Sequence, residues 1–301
     1  MAGSFDHRLA AVIVDYDSGE ALRQCVASCL DEGIEEIVVV DNSPRASATV
    51  SLGDLVSYVT VLWSGRNLGY GAGVNLGASQ VSSEYLLCAN ADVALHRGAA
   101  KALLDVLDSD PSTAIVGPVI LDEHGEIYPS ARRFPGIGQA IGHAFVGLVW
   151  PSNPWTAAYT MADWDHSKPA RVDWVSGACF MARTDAWESL GGFDESYFMY
   201  AEDVDLCWRA ARAGWSVRYE PSGTATHIQG LSTRSHPWRM SAAHHRSLFR
   251  FAARSTEGPA RLLLPAQAAG LATRFVLTRL LAARSNAVRE PSKSAPRLPG
   301  R

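Results

Sequence analysis

The sequence of 301 residues is short of several features that would each have pointed to a class. It has no CxxC pair. Its cysteines are Cys25, Cys29, Cys88, Cys179 and Cys207, and the one close pair, Cys25 with Cys29, lacks the second ligand pair that a zinc site needs. Buried free thiols in a reducing compartment are the expectation. Charge of either sign is not in excess: the formal net charge of -4 gives no global attraction to nucleic acid. No window of about 18 apolar residues runs free of charge, so no membrane-spanning helix is expected. Met1 to Arg8 is polar and the apolar run behind it is short, which is not the pattern of a secretory signal. No internal repeat is visible. What is plentiful is apolar residues, at 47%, enough for a substantial core in one large domain or two small ones.

Chemistry concentrates in Tyr197-Phe-Met-Tyr-Ala-Glu202-Asp203-Val-Asp205-Leu-Cys-Trp-Arg209. Val204, Trp208 and Ala211 recur at helical spacing, so a helix starts near Glu202 and buries that face. Asp205 and Arg209 are four apart and can pair on it. Glu202 and Asp203 then crowd the helix mouth. Crowding and partial burial raise a carboxylate's pKa toward values useful for proton abstraction. The plainer reading is that acids favour a helix N-terminus because of its dipole.

The first half reads as strands alternating with helices. Leu9–Val14 and Ile37–Val40 are apolar runs suited to buried parallel strands, with a helix over Glu20–Leu30 between them that Ser18 can cap. Ligands bind at the carboxyl ends of such strands, where Asp15 and Asp41 stand. Both are placed to hydrogen-bond a base or a ribose, and both are equally acceptable as turn-formers. A third strand covers Val59–Leu62. The stretch Asn67-Leu-Gly69-Tyr70-Gly71-Ala-Gly73-Val-Asn75 follows, and its alternate glycines let backbone approach a ligand closely. It lacks the dinucleotide-binding spacing. A fourth strand, Glu84–Ala89, ends in Asn90-Ala91-Asp92. A carboxylate there can hold a divalent cation between itself and a diphosphate.

The second half is less regular. A further strand covers Ala114–Leu121. Arg132 and Arg133 lie in an aromatic, proline-bounded loop that suits a diphosphate or a carboxylate, or a solvated surface. Gly136–Trp150 is apolar but too short to span a bilayer, and Pro151–Tyr159 is a rigid aromatic loop. Val172–Met181 reads as a strand with a gap of small residues, and Val217–Tyr219 as a last strand before Pro221. His244-His245-Arg246 begin an amphipathic run with Phe249 and Phe251, suited to a place near an acceptor's diphosphate. From Pro259 to Arg284, apolar residues are interleaved with Arg261, Arg274, Arg279 and Arg284. This suits an amphipathic helix on an anionic membrane surface, or one packed on the main domain or on a second subunit. Glu290–Arg301 is expected to be disordered.

The order of Val40-Asp41-Asn42-Ser43, Asn67-Leu-Gly-Tyr-Gly71, Asn90-Ala-Asp92 and Glu202-Asp203-Val-Asp205-Leu resembles the inverting family 2 glycosyltransferases, over about Leu9 to Phe251. The resemblance implies an α/β fold of GT-A type: a doubly wound mixed sheet flanked by helices. Residues 1–255 would form it, with a nucleotide-sugar half to about 120 and an acceptor half beyond. A helical extension over 256–289 and the tail would follow. Asp203 corresponds to the family's catalytic base, with Glu202 as the fallback. Asp92 and His227 correspond to its metal site, for Mg2+ or Mn2+. Asp15, Asp41, Asn67, Gly69, Tyr70, Gly71, Asn75 and Asn90 fall around the nucleotide sugar, and Arg132, Trp174, Ser176 and Gly177 on the acceptor side. Relatives carry Asp-x-Asp or Asn-Pro-Asp where this chain has Asn90-Ala91-Asp92.

Tyr128-Pro-Ser-Ala-Arg132, Trp150-Pro-Ser-Asn-Pro-Trp155, Phe193-Asp-Glu and Tyr197-Phe-Met-Tyr200 are together similar to segments of actinobacterial rhamnosyltransferases that make a cell-wall linkage unit. That similarity implies a dTDP-rhamnose donor, a polyprenyl-diphosphate-linked sugar acceptor, and a peripheral place on the cytoplasmic face of the plasma membrane. The alternatives are another sugar, such as galactofuranose from UDP-galactofuranose, a nucleotide-sugar-binding protein without turnover, or a glycoside hydrolase with paired carboxylates.

Overall fold

The structure, a computed structural model, describes residue 5 and residues 7–134, 161, 164–228 and 237–289. The apolar stretch at 136–150, the aromatic loop at 151–159 and the tail at 290–301 lie outside the described residues.

Strand β1 (Leu9–Asp15) leads through helix α1 (Glu20–Asp31) to β2 (Glu36–Asp41). A short α2 (Ala48–Leu52) and a 3-10 turn precede β3 (Thr60–Trp63), and α3 (Tyr70–Ala78) leads to β4 (Tyr85–Asn90). Then come β5 (Val93–Leu95), α4 (Ala99–Ser109), β6 (Thr113–Leu121), β7 (Ile127–Tyr128) and β8 (Ala131–Arg132). The chain continues with β9 (Ala170–Val172), β10 (Trp174–Val175), β11 (Cys179–Arg183) and α5 (Thr184–Leu190). The chain closes with α6 (Glu202–Arg212), β12 (Ser216–His227), α7 (Pro237–Ser255), a 3-10 turn and α8 (Leu264–Arg289).

The main sheet runs in the order β3-β2-β1-β4-β11-β6-β12-β5, with β7 and β9 attached. β1 to β4 are mutually parallel, β11 is antiparallel to both its neighbours, and β12 is again parallel to β6. The expectation of a doubly wound mixed sheet therefore holds. Its cause is visible in the strands. Leu9, Ala11 and Ile13 of β1 face one apolar cluster with α1 and α4, while Val12 faces a second cluster with α3, α5 and α6. A strand buried on both faces has no polar alternation, which is why Leu9–Val14 is continuously apolar.

Three local expectations are corrected. Ser18 does not cap α1: the cap position is Gly19, at φ 59°, and no side chain bonds there. The last strand does not stop before Pro221 but continues to His227. A register shift between Glu220 and Thr224 absorbs the proline, as bulges do. The glycine-rich stretch is mostly the body of α3 rather than a ligand loop. A Cβ on Gly73 would lie 2.9 Å from Val14, and one on Gly77 2.5 Å from Val12, so these glycines seat the helix on the sheet. Among the described residues no helix is long and apolar enough to cross a membrane.

Candidate active site

The site starts from strand ends. Parallel pairing brings the ends of β1, β2 and β4 to one edge, with Asp15 opposite Asp41 and Val14 opposite Asn90. After β4 the chain turns at Ala91 and Asp92 and returns as β5, which puts Val93 opposite His227 of β12. The Ile228 N–H donates to the Asp92 carbonyl at 3.0 Å. This ladder holds His227 Nε2 3.1 Å from Asp92 Oδ1, with Asn90 Nδ2 3.3 Å from the same nitrogen. His227 Nδ1 is buried without a partner among the described residues.

The acidic pair arrives from the other side of the sequence. Tyr200 and Ala201 both adopt left-handed backbone, at φ 69° and 65°. Such conformations cost non-glycine residues on the order of 1–3 kcal/mol each and persist only where the surroundings hold them. Here the Tyr70 N–H donates to the Phe198 carbonyl and the Ser247 hydroxyl to that of Met199. The kink points the start of α6 into a cavity of about 1180 Å³. Asp203 Oδ2 accepts the Gly177 N–H and Oδ1 the Val204 N–H, both at 2.8 Å. Glu202 is 6% exposed, and its Oε2 has no partner among the described residues. Burial pushes the Glu202 pKa up, and the neighbouring Asp203 charge pushes it further. Burial also raises Asp203, against the Gly177 and Val204 amides and the Arg132 guanidinium.

Asp205, three residues after Glu202, is different in kind. It is fully buried, paired with Arg209 at 2.7 Å and with Arg254 at 3.2 Å. Arg209 also donates to the carbonyls of Leu190 and Gly192, so this pair fastens the chain that leads into the acidic block.

One short segment joins the two halves of the site. Ser176-Gly177-Ala178 fills the gap between β10 and β11. The Gly177 N–H holds Asp203, and its carbonyl accepts the Tyr70 hydroxyl at 2.5 Å. The Ala178 carbonyl accepts the Asn90 N–H at 2.9 Å. A Cβ at Gly177 would press on Asp203 at 3.2 Å.

Most expected residues meet on the cavity wall. Asn67, Gly69, Tyr70, Asn90 and Asp92 line it from the strand ends, Arg132, Trp174, Ser176 and Gly177 from β8, β10 and the segment after β10, and Glu202, Asp203 and His227 complete it. The Arg132 guanidinium is fixed over the Tyr128 and Trp174 rings, 5.5 and 5.1 Å from their centroids.

Four expected residues are set back from the wall. Both Asp41 oxygens accept backbone N–H groups, of Ser43 and Ala48, at 2.8 Å. Asp15 Oδ1 accepts the Ser18 N–H, and burial raises its pKa. Asn75 is bonded to the backbone of Phe193 through both ends of its amide. Gly71 packs under Phe193. Asn42, Tyr16, Arg239 and Met240 line the cavity and were not expected. For Asn42 a signal existed, its place directly after the β2 end.

The chain matches the profile of "Glycosyl transferase family 2" over residues 10–166 and that of "Glycosyl transferase family group 2" over 152–252. It is 36% identical, over 81% of its length and 84% of the relative's, to the N-acetylglucosaminyl-diphospho-decaprenol L-rhamnosyltransferase of Mycobacterium tuberculosis. It is 27% identical to the rhamnosyltransferase WbbL of Escherichia coli, over 64% of this chain and 72% of that one. Among solved structures it is similar to the mannosyltransferase PcManGT from Pyrobaculum calidifontis in complex with GDP-Man and Mn2+. The TM-score is 0.57 at 15% identity, covering 94% of this chain and 76% of that one. It is also similar to GalNAc-T7 with UDP, GalNAc and Mn2+, with a TM-score of 0.59 at 16% identity. That match covers 81% of this chain and 47% of the other.

Fold and site together define a glycosyltransferase of GT-A architecture. More narrowly, the chain belongs to glycosyl transferase family 2.

Proposed function

We propose that the enzyme transfers L-rhamnose, with inversion, from dTDP-L-rhamnose to N-acetylglucosamine carried on a polyprenyl diphosphate. The sugar and the acceptor come from the mycobacterial relative. The observation that supports the reading is the meeting of Asp203 with the Asp92–His227 pair on one cavity wall, tied together through Ser176–Ala178.

In this reading Asp203 takes the proton from the acceptor hydroxyl as it attacks the anomeric carbon. The Gly177 N–H and Arg132 favour its charged form, and Glu202 keeps its own proton. Asn67, Asn42 and Tyr16 meet the nucleotide, while Asp15 and Asp41 brace the strand ends behind them. Holding donor and acceptor in line supplies the orientation part of the rate.

Asp92 and His227 suit a divalent cation, Mg2+ or Mn2+. Their facing atoms are 3.1 Å apart, about the spacing of adjacent ligands on one octahedral ion. Bound there, the ion would neutralise charge on the departing diphosphate. No group of three such side chains gathers among the described residues, so donor phosphate and water would fill the other positions.

Exposed Leu262, Leu263, Val276 and Leu277 lie near Arg261, Arg274 and Arg279 on the C-terminal turn and α8. That mixture supports peripheral contact with the cytoplasmic face of the plasma membrane, where a lipid-linked acceptor is presented. The test is a thermal-shift screen with dTDP, UDP and GDP, with and without manganese, followed by transfer to a synthetic GlcNAc-diphosphate lipid. The largest shift is expected with dTDP plus manganese, and transfer with dTDP-rhamnose. A preference for UDP, with galactofuranose transferred instead, would overturn the donor assignment.

A further inference from the structure

Helix α7 forms one wall of the cavity and is basic throughout. Between Pro237 and Ser255 it carries arginines at 239, 246, 250 and 254 and no acidic residue. Arg239, Arg246 and Arg250 are seven and then four residues apart, so they fall within about 20° of one line along the helix. All of them line the cavity.

Two of the four arginines are committed to the protein itself. Arg250 donates to the Ser196 carbonyl and lies over the Tyr197 ring. Arg254 pairs with Asp194 and Asp205. Arg239 and Arg246 are exposed and make no ion pair or side-chain hydrogen bond among the described residues. Among the described residues the carboxylates on the cavity wall are Asp92, Glu202 and Asp203, and none pairs with either arginine. Two guanidinium groups on a cavity wall with no partner among the described residues offer a site to an anion, and their planar forks match phosphate oxygens.

Position says which anion. Ser247, next to Arg246, holds the Met199 carbonyl, so that end of the stripe abuts the kink that presents Asp203. Arg239 lies at the other end, beside Trp238. There the Arg279 guanidinium of α8 covers the Trp238 ring at 5.3 Å, while Phe275 packs on His245, next to Arg246, so α8 runs along the span between the two arginines. Val276 and Leu277, next along α8, are exposed. The carboxylate therefore lies at one end of the arginine pair, and the exposed apolar residues of α8 flank the pair along its length. A lipid-linked sugar likewise carries its diphosphate between the reacting hydroxyl and a hydrocarbon chain. The two arginines start about 10 Å apart along the helix axis, a gap that their long side chains can close around a diphosphate.

We propose that Arg239 and Arg246 form the subsite for the acceptor's diphosphate. The inference rests on the transfer reaction proposed above, and it separates this diphosphate from the donor's, which belongs with Asp92 and His227. The test compares wild type with Arg239→Gln, Arg246→Gln and the double variant on two acceptors, farnesyl-diphosphate-linked GlcNAc and octyl GlcNAc. For the diphosphate acceptor, KM should rise about tenfold in each single variant and about a hundredfold in the double, each tenfold being ~1.4 kcal/mol. The KM for octyl GlcNAc and for dTDP-rhamnose should stay within about twofold, and Arg246→Lys should recover part of the loss. A rise in donor KM instead would reassign the pair to the donor's diphosphate and overturn the proposal. So would equal losses on both acceptors, or an unchanged preference for the diphosphate acceptor. Absence of any transfer by the wild-type protein would sink the reaction itself, a result distinct from all of these.

Discussion

Asp41 and Asp203 make the same kind of hydrogen bonds in different surroundings. Each carboxylate accepts two backbone N–H groups at 2.8 Å, Asp41 at the end of β2 and Asp203 at the start of α6. Asp41 is 1% exposed and seals a turn. Asp203 opens on a cavity beside a second buried acid, and burial raises its pKa despite the amides. Two amides therefore do not tell a carboxylate sealed in a turn from one that faces a cavity. What separates scaffold from site is whether a face of the anchored group is left toward space that a substrate can enter.

The largest effect that could break this contrast is on turnover. Asp203→Asn keeps the size and one acceptor but cannot take a proton. Transfer should fall by about 10³-fold or more, within the range expected for losing a general base in a closed site, while dTDP binding is kept. Steady-state rates with calorimetric dTDP affinity would show it. Wild-type turnover by that variant would remove Asp203 from the mechanism. The matching change at Asp41 should act on folding. Asp41→Ala leaves the Ser43 and Ala48 N–H groups buried and unpaired, a loss of about 3 kcal/mol in urea unfolding. The folded fraction should still bind dTDP within about twofold. Loss of dTDP affinity at unchanged stability would instead make Asp41 a ligand residue, as its strand-end position suggested.

How far this was legible in the sequence follows from the same physics. Strands buried on both faces wrote themselves as apolar runs, so β1, β2 and β4 could be read directly. Asp205 and Arg209 were legible as a pair because a helix fixes their spacing, and the structure joins them at 2.7 Å. The glycines of α3 were not, since close packing on Val12 and Val14 and close approach to a ligand demand the same residue. The long β12 was hidden by Pro221, because nothing local shows a bulge that absorbs a proline. Asp92 and His227 lie far apart in the chain. Only pairing between β5 and β12 makes them neighbours, and the family resemblance, not the spacing, had linked them. Arg239 stayed unread because its face depends on where α7 docks.

The finest test of the contrast lies in proton linkage. Glu202 is buried beside Asp203 with an unpartnered oxygen, and its pKa is pushed up to about 8. In the unfolded chain a glutamate titrates near ~4.3. Between those values the folded protein holds a proton that the unfolded chain has released. Stability therefore falls as pH rises through that window, the reverse of a salt-bridged carboxylate. Glu202→Gln should remove most of the decline between about pH 5 and pH 8, and match wild type at the acid end where Glu202 is already neutral. Melting temperatures across that range for both proteins decide it. Parallel curves would mean that Glu202 is charged and accommodated at neutral pH. Two adjacent anions would then face the acceptor hydroxyl, and the assignment of the base to Asp203 alone would have to be abandoned.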